Sequence, residues 1–202
     1  MTKKYLTDAV AEAIQNLKAL HDLGSLHQEF EAMIDLLVST YKNGGGLFVA
    51  GNGGSAADAQ HLVAELVVKL SQDRDPIKAF ALTVDTSIIT ATGNDFSYDD
   101  IFSRQVEGLM SSKDVFLGIT TSGNSPNILK CFQMCRKIGA KSILLSGKDG
   151  GVAVKEKMAD INIVAPGPNT ARIQEAHEII YHTLCLALEK RLVEEKIIRY
   201  RS

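Results

Sequence analysis

Residues 51–65 read GNGGSAADAQHLVAE and follow directly on the apolar run Leu47-Phe48-Val49-Ala50. A strand-like run thus ends in glycines and passes straight into a helical pattern. Glycines at such a junction let the backbone approach a ligand closely and take up φ > 0. The helix start offers unpaired N–H groups and positive partial charge, which suit a phosphate. His61 and Glu65 stand four residues apart, which places them on one helix face with Cβ atoms about 6 Å apart. The stretch reads as an anion cradle beside an ionisable pair.

Working outward, the same alternation recurs. Strand-like runs at 47–50, 79–84, 115–119, 142–145 and 161–164 alternate with helical patterns at about 55–70, 87–94, 99–110, 125–138 and 150–158. A last helix spans about 170–197. This predicts an α/β fold with a mostly parallel five-stranded sheet covered by helices on both faces. In such sheets ligands bind at the carboxyl ends of strands, so chemistry belongs in the loops that follow them.

Ahead of the first strand, residues 4–42 show helical period. Val10, Ile14, Leu17 and Leu20 form one apolar stripe, and Phe30, Met33, Ile34, Leu37, Val38 and Tyr41 form another. Leu23-Gly24-Ser25 reads as the turn between them, with Ser25 as a helix cap. Two helices here have little to pack on within a single α/β layer. The expectation is a helical hairpin, residues 1–43, that packs at an oligomer core, followed by the α/β part at 44–202 as one structural unit with it.

The net charge of −2 over 202 residues leaves no electrostatic footprint for nucleic acid. No run approaches the ~20 apolar residues of a membrane span. The start M-T-K-K meets Asp8 and Glu12 before any apolar stretch, so no signal peptide is expected and the cytoplasm is the expected location. Cys131, Cys135 and Cys185 lie in apolar helical patterns with no Cys/His cluster around them, and read as small buried hydrophobes.

Gly51, Gly53 and Ala56 fit the dinucleotide spacing, but Asp85 lies further on than that fingerprint places its acidic residue. The loop TTSGNSP at 120–126 points elsewhere: Thr120, Thr121, Ser122 and Ser125 supply four hydroxyls at a helix start, with Pro126 suited to the first helical position and Ser125 to the cap. No P-loop motif occurs. Two cradles of neutral donors on strand ends suit a small phosphorylated, polyhydroxylated ligand, a sugar phosphate. Asn94 and Asp95 fit contacts to sugar hydroxyls, or a Gly93 C-cap followed by a turn. In the final helix, Gln174, His177, Glu178 and His182 fall within nine residues and mark a further site.

The runs G-N-G-G-S-A-A-D-A-Q-H-x-x-A-E-L, G-N-D, D-I-F-S-R-Q-V-E, T-S-G-N-S-P-N and A-R-I-Q-E-x-H-x-x-x-x-H carry a resemblance over nearly the full length. The chain resembles the sugar isomerase (SIS) domain proteins, and among them the bacterial phosphoheptose isomerases. That resemblance implies a flavodoxin-like three-layer sandwich, a homotetramer with active sites shared between subunits, and one Zn²⁺ per subunit. It implies conversion of sedoheptulose 7-phosphate to D-glycero-D-manno-heptose 7-phosphate for lipopolysaccharide core. By position, Asn52, Gly53, Gly54, Ser55, Asn94, Asp95 and Gln174 would hold substrate, and Thr120, Thr121, Ser122 and Ser125 its phosphate. His61, Glu65, Gln174 and His182 would hold zinc, with Glu65 and His182 as the acid/base pair. A non-catalytic SIS relative that binds the replication initiator, and an isomerase of another sugar phosphate, are the competing implications; the complete set of four favours an enzyme, and the resemblance alone selects a heptose.

Two features qualify the assignment. Gln174 and His182 are eight residues apart, about 12 Å of rise on a helix, too far for one zinc. Either one of them reaches the metal from a neighbouring subunit or the helix begins after Gln174. On spacing alone His177 competes with His182. The chain also has Ala171 where many relatives have Asp, and Lys69 where many have Arg, which keeps charge but not a bidentate fork.

Overall fold

A computed structural model describes residues 4–201; the first three residues of the N-terminal segment lie outside the described residues. Helices α1 (Tyr5–His21) and α2 (Gly24–Lys42) precede β1 (Leu47–Gly51). Then come α3 (Gly54–Val67), β2 (Ala79–Ala81), α4 (Thr86–Asp95), a 3-10 turn at Tyr98–Asp100, α5 (Ser103–Leu109) and β3 (Val115–Thr120). The chain continues through α6 (Pro126–Ile138), β4 (Lys141–Gly147), α7 (Gly151–Lys155), β5 (Ile161–Ala165) and α8 (Thr170–Glu194).

The five strands are all parallel, in the order β2-β1-β3-β4-β5. The side-chain alternation of the strands separates two cores. Leu47, Val49, Val115, Leu117, Ile143 and Leu145 face α2, α3 and α8. Phe48, Ala50, Phe116 and Leu144 face the residues of α5, α6 and α7. The expected fold class holds. The strand order reverses between β1 and β3, whose carboxyl ends are aligned by pairing of Gly51 with Ile119. That switch point is where an open α/β sheet forms its ligand crevice.

Local expectations need correction. The second apolar stripe does not wait for a partner. Met33, Ile34, Leu37 and Val38 of α2 are buried in the core beside α8, because the sheet face left open next to α3 is wide enough to take two more helices. The α1 stripe differs, with Val10, Ile14 and Leu17 exposed in the single chain. Helix α2 begins at Gly24 with Leu23 at its cap position, so Ser25 lies inside the helix and caps nothing. The single helix expected at 99–110 is a 3-10 turn and a shorter α5, opened by the Ser97 hydroxyl accepting from the Asp99 amide. The strand expected at 79–84 pairs only over Ala79–Ala81. The last helix stops at Glu194.

Helices α3 and α8 lie against one another, and their far end is fastened by Arg74, only 2% exposed. Its Nε donates to Glu189 Oε2 at 2.8 Å, and its two terminal nitrogens donate to the carbonyls of Leu66 and Glu65, each at 2.8 Å. Removing one partner of a buried ion pair strands the other charge. Arg74→Met is therefore expected to cost about 3–5 kcal/mol in chemical denaturation, with Arg74→Met/Glu189→Leu recovering most of it. A single variant as stable as wild type would show that Arg74 is not a fastening.

Candidate active site

Three helix N-termini converge at the switch point. Gly54 opens α3, Ser125 precedes α6, and Thr170 opens α8. Residues from all three line one cleft of about 210 Å³, together with Asn52, Ser55, Thr120, Thr121, Ser122 and Gln174. Converging N-termini present unpaired N–H groups and partial positive charge without a formal cation. The cleft is built for an anion that also accepts hydroxyl donors.

Local geometry explains the small residues. Gly53 has φ +57°, in the left-handed region that favours glycine, and it turns the chain from β1 into α3. A Cβ on Gly54 would overlap the amide of Gln174, which lies directly over the start of α3. Asn52 and Asn127 exchange two amide hydrogen bonds of 2.9 Å, tying the loop after β1 to α6. Tyr98 donates to the same Asn52 oxygen at 3.3 Å. Ser125 sits at the α6 cap position, yet its hydroxyl bonds Thr120 Oγ1 at 2.9 Å and makes no cap bond. The hydroxyls of this loop are thus held toward the cleft.

Further along the same two helices lies a second group. His61 Nε2 is 3.1 Å from Glu65 Oε1 and 3.5 Å from His182 Nε2, and its Nδ1 is 3.0 Å from the Tyr181 hydroxyl. Ligand atoms of His61, Glu178 and His182 all lie within 4.8 Å of one another. Two imidazoles and a carboxylate form a usual donor set for zinc. Asp58, half-buried one turn before His61, has its carboxyl pushed up to about 6 by burial and then by the charge of Glu178, against the pull of His61. Its Oδ2 has no hydrogen-bond partner among the described residues. An uncompensated carboxylate beside this donor set fits a site that takes a cation.

The sequence-derived residues divide accordingly. Asn52, Gly54, Ser55, Thr120, Thr121, Ser122, Ser125 and Gln174 meet in the cleft, with Gly53 as its hinge. His61, Glu65 and His182 meet in the second group. Gln174 does not join them. Helix α8 begins at Thr170, so the idea that it starts after Gln174 is overturned, and both side chains point from one continuous helix. His177 is fully buried and its Nε2 donates to the Ser146 carbonyl at 2.9 Å; burial lowers its pKa to about 4, which keeps it a neutral core residue. Asn94 and Asp95 lie on the exposed last turn of α4, bonded to each other at 2.7 Å, and do not line the cleft. Gly93 is inside that helix and is not its cap, which falls at Phe96.

A family model for the SIS domain matches residues 7–147. A phosphoheptose isomerase of Sulfurimonas denitrificans is 43% identical over 190 residues, covering 94% of this chain and 96% of the relative. The chain belongs to the SIS-domain phosphoheptose isomerase family. A second relative of that name, from Geotalea daltonii, is 46% identical over 180 residues, 89% of this chain and 93% of its own. The solved phosphoheptose isomerase of Neisseria gonorrhoeae superposes with a TM-score of 0.85 at 34% identity, covering 94% of this chain and 100% of that one. The chain is thus a sugar-phosphate isomerase.

Sequence reading missed Thr170, Asn127, Asp58 and Tyr181 as members of the site. Asp58 and Tyr181 carried a signal, since they stand three residues before His61 and one before His182. Their relevance depends on how α8 sits against α3, which no spacing within one helix reveals.

Gly54→Ala tests the placement of Gln174. The clash is with the end of a flexible side chain, so the fold should persist while the amide is displaced from the cleft. KM for the sugar-phosphate substrate is expected to rise about tenfold, some 1.4 kcal/mol, at an unchanged melting temperature. An unchanged KM would remove Gln174 from substrate binding.

Proposed function

We propose that the enzyme converts sedoheptulose 7-phosphate to D-glycero-D-manno-heptose 7-phosphate in the cytoplasm, as the first step of heptose supply for lipopolysaccharide core. The observation that carries this reading is the spacing of the two sites along shared helices. From Gly54 to His61 is seven residues of α3, about 10 Å of rise, so a sugar with its phosphate at the cleft extends its far end to the His/Glu group. The heptose follows from the relatives, which are phosphoheptose isomerases.

The chemistry follows from that arrangement. The phosphate binds Thr120, Thr121, Ser122 and Ser125 at the converging helix starts, while Asn52, Ser55 and Gln174 hold hydroxyls. Glu65 takes a proton from C1, and the electron pair forms the C1–C2 enediolate. His182 gives a proton to the oxygen on C2. Reprotonation at C2 and loss of the O1 proton leave the aldose. The residues present fit a divalent zinc ion, which His61 and His182 would hold with a carboxylate; when bound it supplies the positive charge that steadies an enediolate.

The assembly we propose is a homotetramer with sites shared between subunits. Supporting it are the exposed Val10, Ile14 and Leu17 of α1 and the exposed Ile179 and Leu186 of α8. Asn94 and Asp95 would then approach substrate from a neighbouring subunit. No helix among the described residues is long and apolar enough to cross a membrane.

Turnover of sedoheptulose 7-phosphate with zinc supplied is the decisive measurement. Wild type should isomerise it, and Glu65→Gln and His182→Ala should each lose at least about 10²-fold in kcat while staying folded. Inert wild type would sink the isomerase reading for this sugar.

A further inference from the structure

We propose that Arg172 is a positioning residue for the cleft: it ties the first turn of α8 to α1 and so holds the Gln174 amide over the start of α3. The proposal rests on the reading of the cleft as the sugar-phosphate site. Arg172 lies outside the lining of the cleft, and its effect reaches substrate only through the helix that carries it.

The two residues leave α8 in opposite directions. They stand two apart in sequence, about 200° around the helix axis. Gln174 faces α3, where its amide meets Gly54, and Arg172 faces α1. The Arg172 side chain is 12% exposed. One terminal nitrogen donates to the Ala9 carbonyl at 2.6 Å, and the other reaches Glu175 Oε1 at 2.7 Å. The Arg172 carbonyl accepts from Asn16 Nδ2 at 3.0 Å, and Asn16 is 7% exposed. Side chain and backbone of one residue are thus both bonded to α1. The Nε of Arg172 has no hydrogen-bond partner among the described residues; the Glu12 carboxylate stands 3.7 Å from it. Glu12 offsets the buried charge, while the ties that fix position are those to Ala9 and Asn16.

The first turn of α8 needs such ties because packing leaves one motion open. Ile173 is buried against Gly147 and Gly167, where an added Cβ would come within 2.6 Å of it. That contact sets the height of the turn above the sheet. Apolar contact is non-directional, however, and resists rotation about the helix axis weakly. Hydrogen bonds are directional and oppose it. A rotation of ~10° shifts an atom at the ~6 Å outer radius of a helix by about 1 Å, and a misplacement of about 1 Å can cost up to about 10²-fold in rate. Asn16 and Leu20 are the residues that α1 buries. Through the first of them α1 becomes part of the scaffold of the cleft.

The test is a double-mutant cycle in kcat/KM for sedoheptulose 7-phosphate on wild type, Arg172→Met, Gln174→Ala and the double variant, with hydrogen exchange at residues 173–178. Circular dichroism melts check that each variant folds. Arg172→Met should lower kcat/KM about tenfold, within the range a displaced group costs, and should speed exchange at those amides. Arg172→Met/Gln174→Ala should be no worse than Gln174→Ala alone, because residues acting through one another are not additive. Asn16→Ala removes a tie from the α1 side and should cost about threefold, the worth of one hydrogen bond; it carries the test if Arg172→Met does not fold. Unchanged kcat/KM in a folded Arg172→Met, or in Asn16→Ala where only that variant folds, overturns the proposal. So do losses that multiply in the double variant, which would give Arg172 a purely structural role. A wild type that leaves the heptulose phosphate unchanged refutes the isomerase reading for that sugar. Exchange then decides the tie alone: faster exchange in the variants keeps it, and unchanged exchange overturns it.

Discussion

The packing of α3 against α8 fixes where each charged group of the site lies, and the buried Arg74 guanidinium fastens its far end. A buried ion pair gains little on its own, because both charges give up their hydration. Arg74 does more than pair with Glu189. Two of its nitrogens bind the carbonyls of Glu65 and Leu66, which the last turn of α3 leaves without intrahelical partners. The residue that carries the proposed base is thereby held by its own backbone. A slip of α8 by one residue would rotate its side chains by about 100° and part His182 from His61, so the register that Arg74 secures is also the register of the chemistry.

At the opposite end of the same helices the constraint is one of space. The start of α3 has to pass beneath the Gln174 amide and turn out of β1 at Gly53, and side chains at these positions would fill the cleft or strain the turn. The binding we propose there relies on three helix starts and neutral hydroxyls. Among the described residues, no Arg or Lys side chain lines the cleft. An anion held this way stays exchangeable, which suits a substrate that has to leave as product. Ala171 and Lys69, the departures from the family pattern, are both exposed and lie outside that lining. The cradle is therefore complete without the carboxylate or the bidentate fork that relatives carry there.

Much of this was legible in the sequence, and the limits have physical causes. Parallel strands covered on both faces read as continuous apolar runs, which is why all five were found, and glycine and hydroxyl clusters after β1 and β3 marked the crevice because few other demands require them. The fate of α2 was not legible. An apolar stripe has the same period whether it meets its own sheet or another subunit, and Met33, Ile34, Leu37 and Val38 turn out to meet their own. Ser25 misled for a related reason, since a hydroxyl near a helix start satisfies capping statistics; Ser125 does stand at its cap position, yet its hydroxyl is drawn to Thr120. His177 and His182 could be ranked only by resemblance. Burial against the Ser146 carbonyl separates them, and burial depends on the rotation of α8 about its axis.

Gln174 and His182 show the same limit from the functional side. Gln174 is a neighbour of His177 at helical spacing and Glu178 a neighbour of His182, and spacing alone gives neither pair a role. The choice is made by α3. Running alongside α8, it sets Gly54 against Gln174 at one level and His61 against His182 two turns further on. A residue on α8 is therefore assigned its role by its partner on α3: beside a glycine there is room for substrate, beside an imidazole there is a second donor. With the phosphate at the lower level, as we propose, the reacting carbons have to reach the upper one, so the number of helical turns between Gly54 and His61 would act as the length gauge of the site. Altering that gauge without altering the chemistry would require moving His61 and His182 together, because each is useful only at the level of the other.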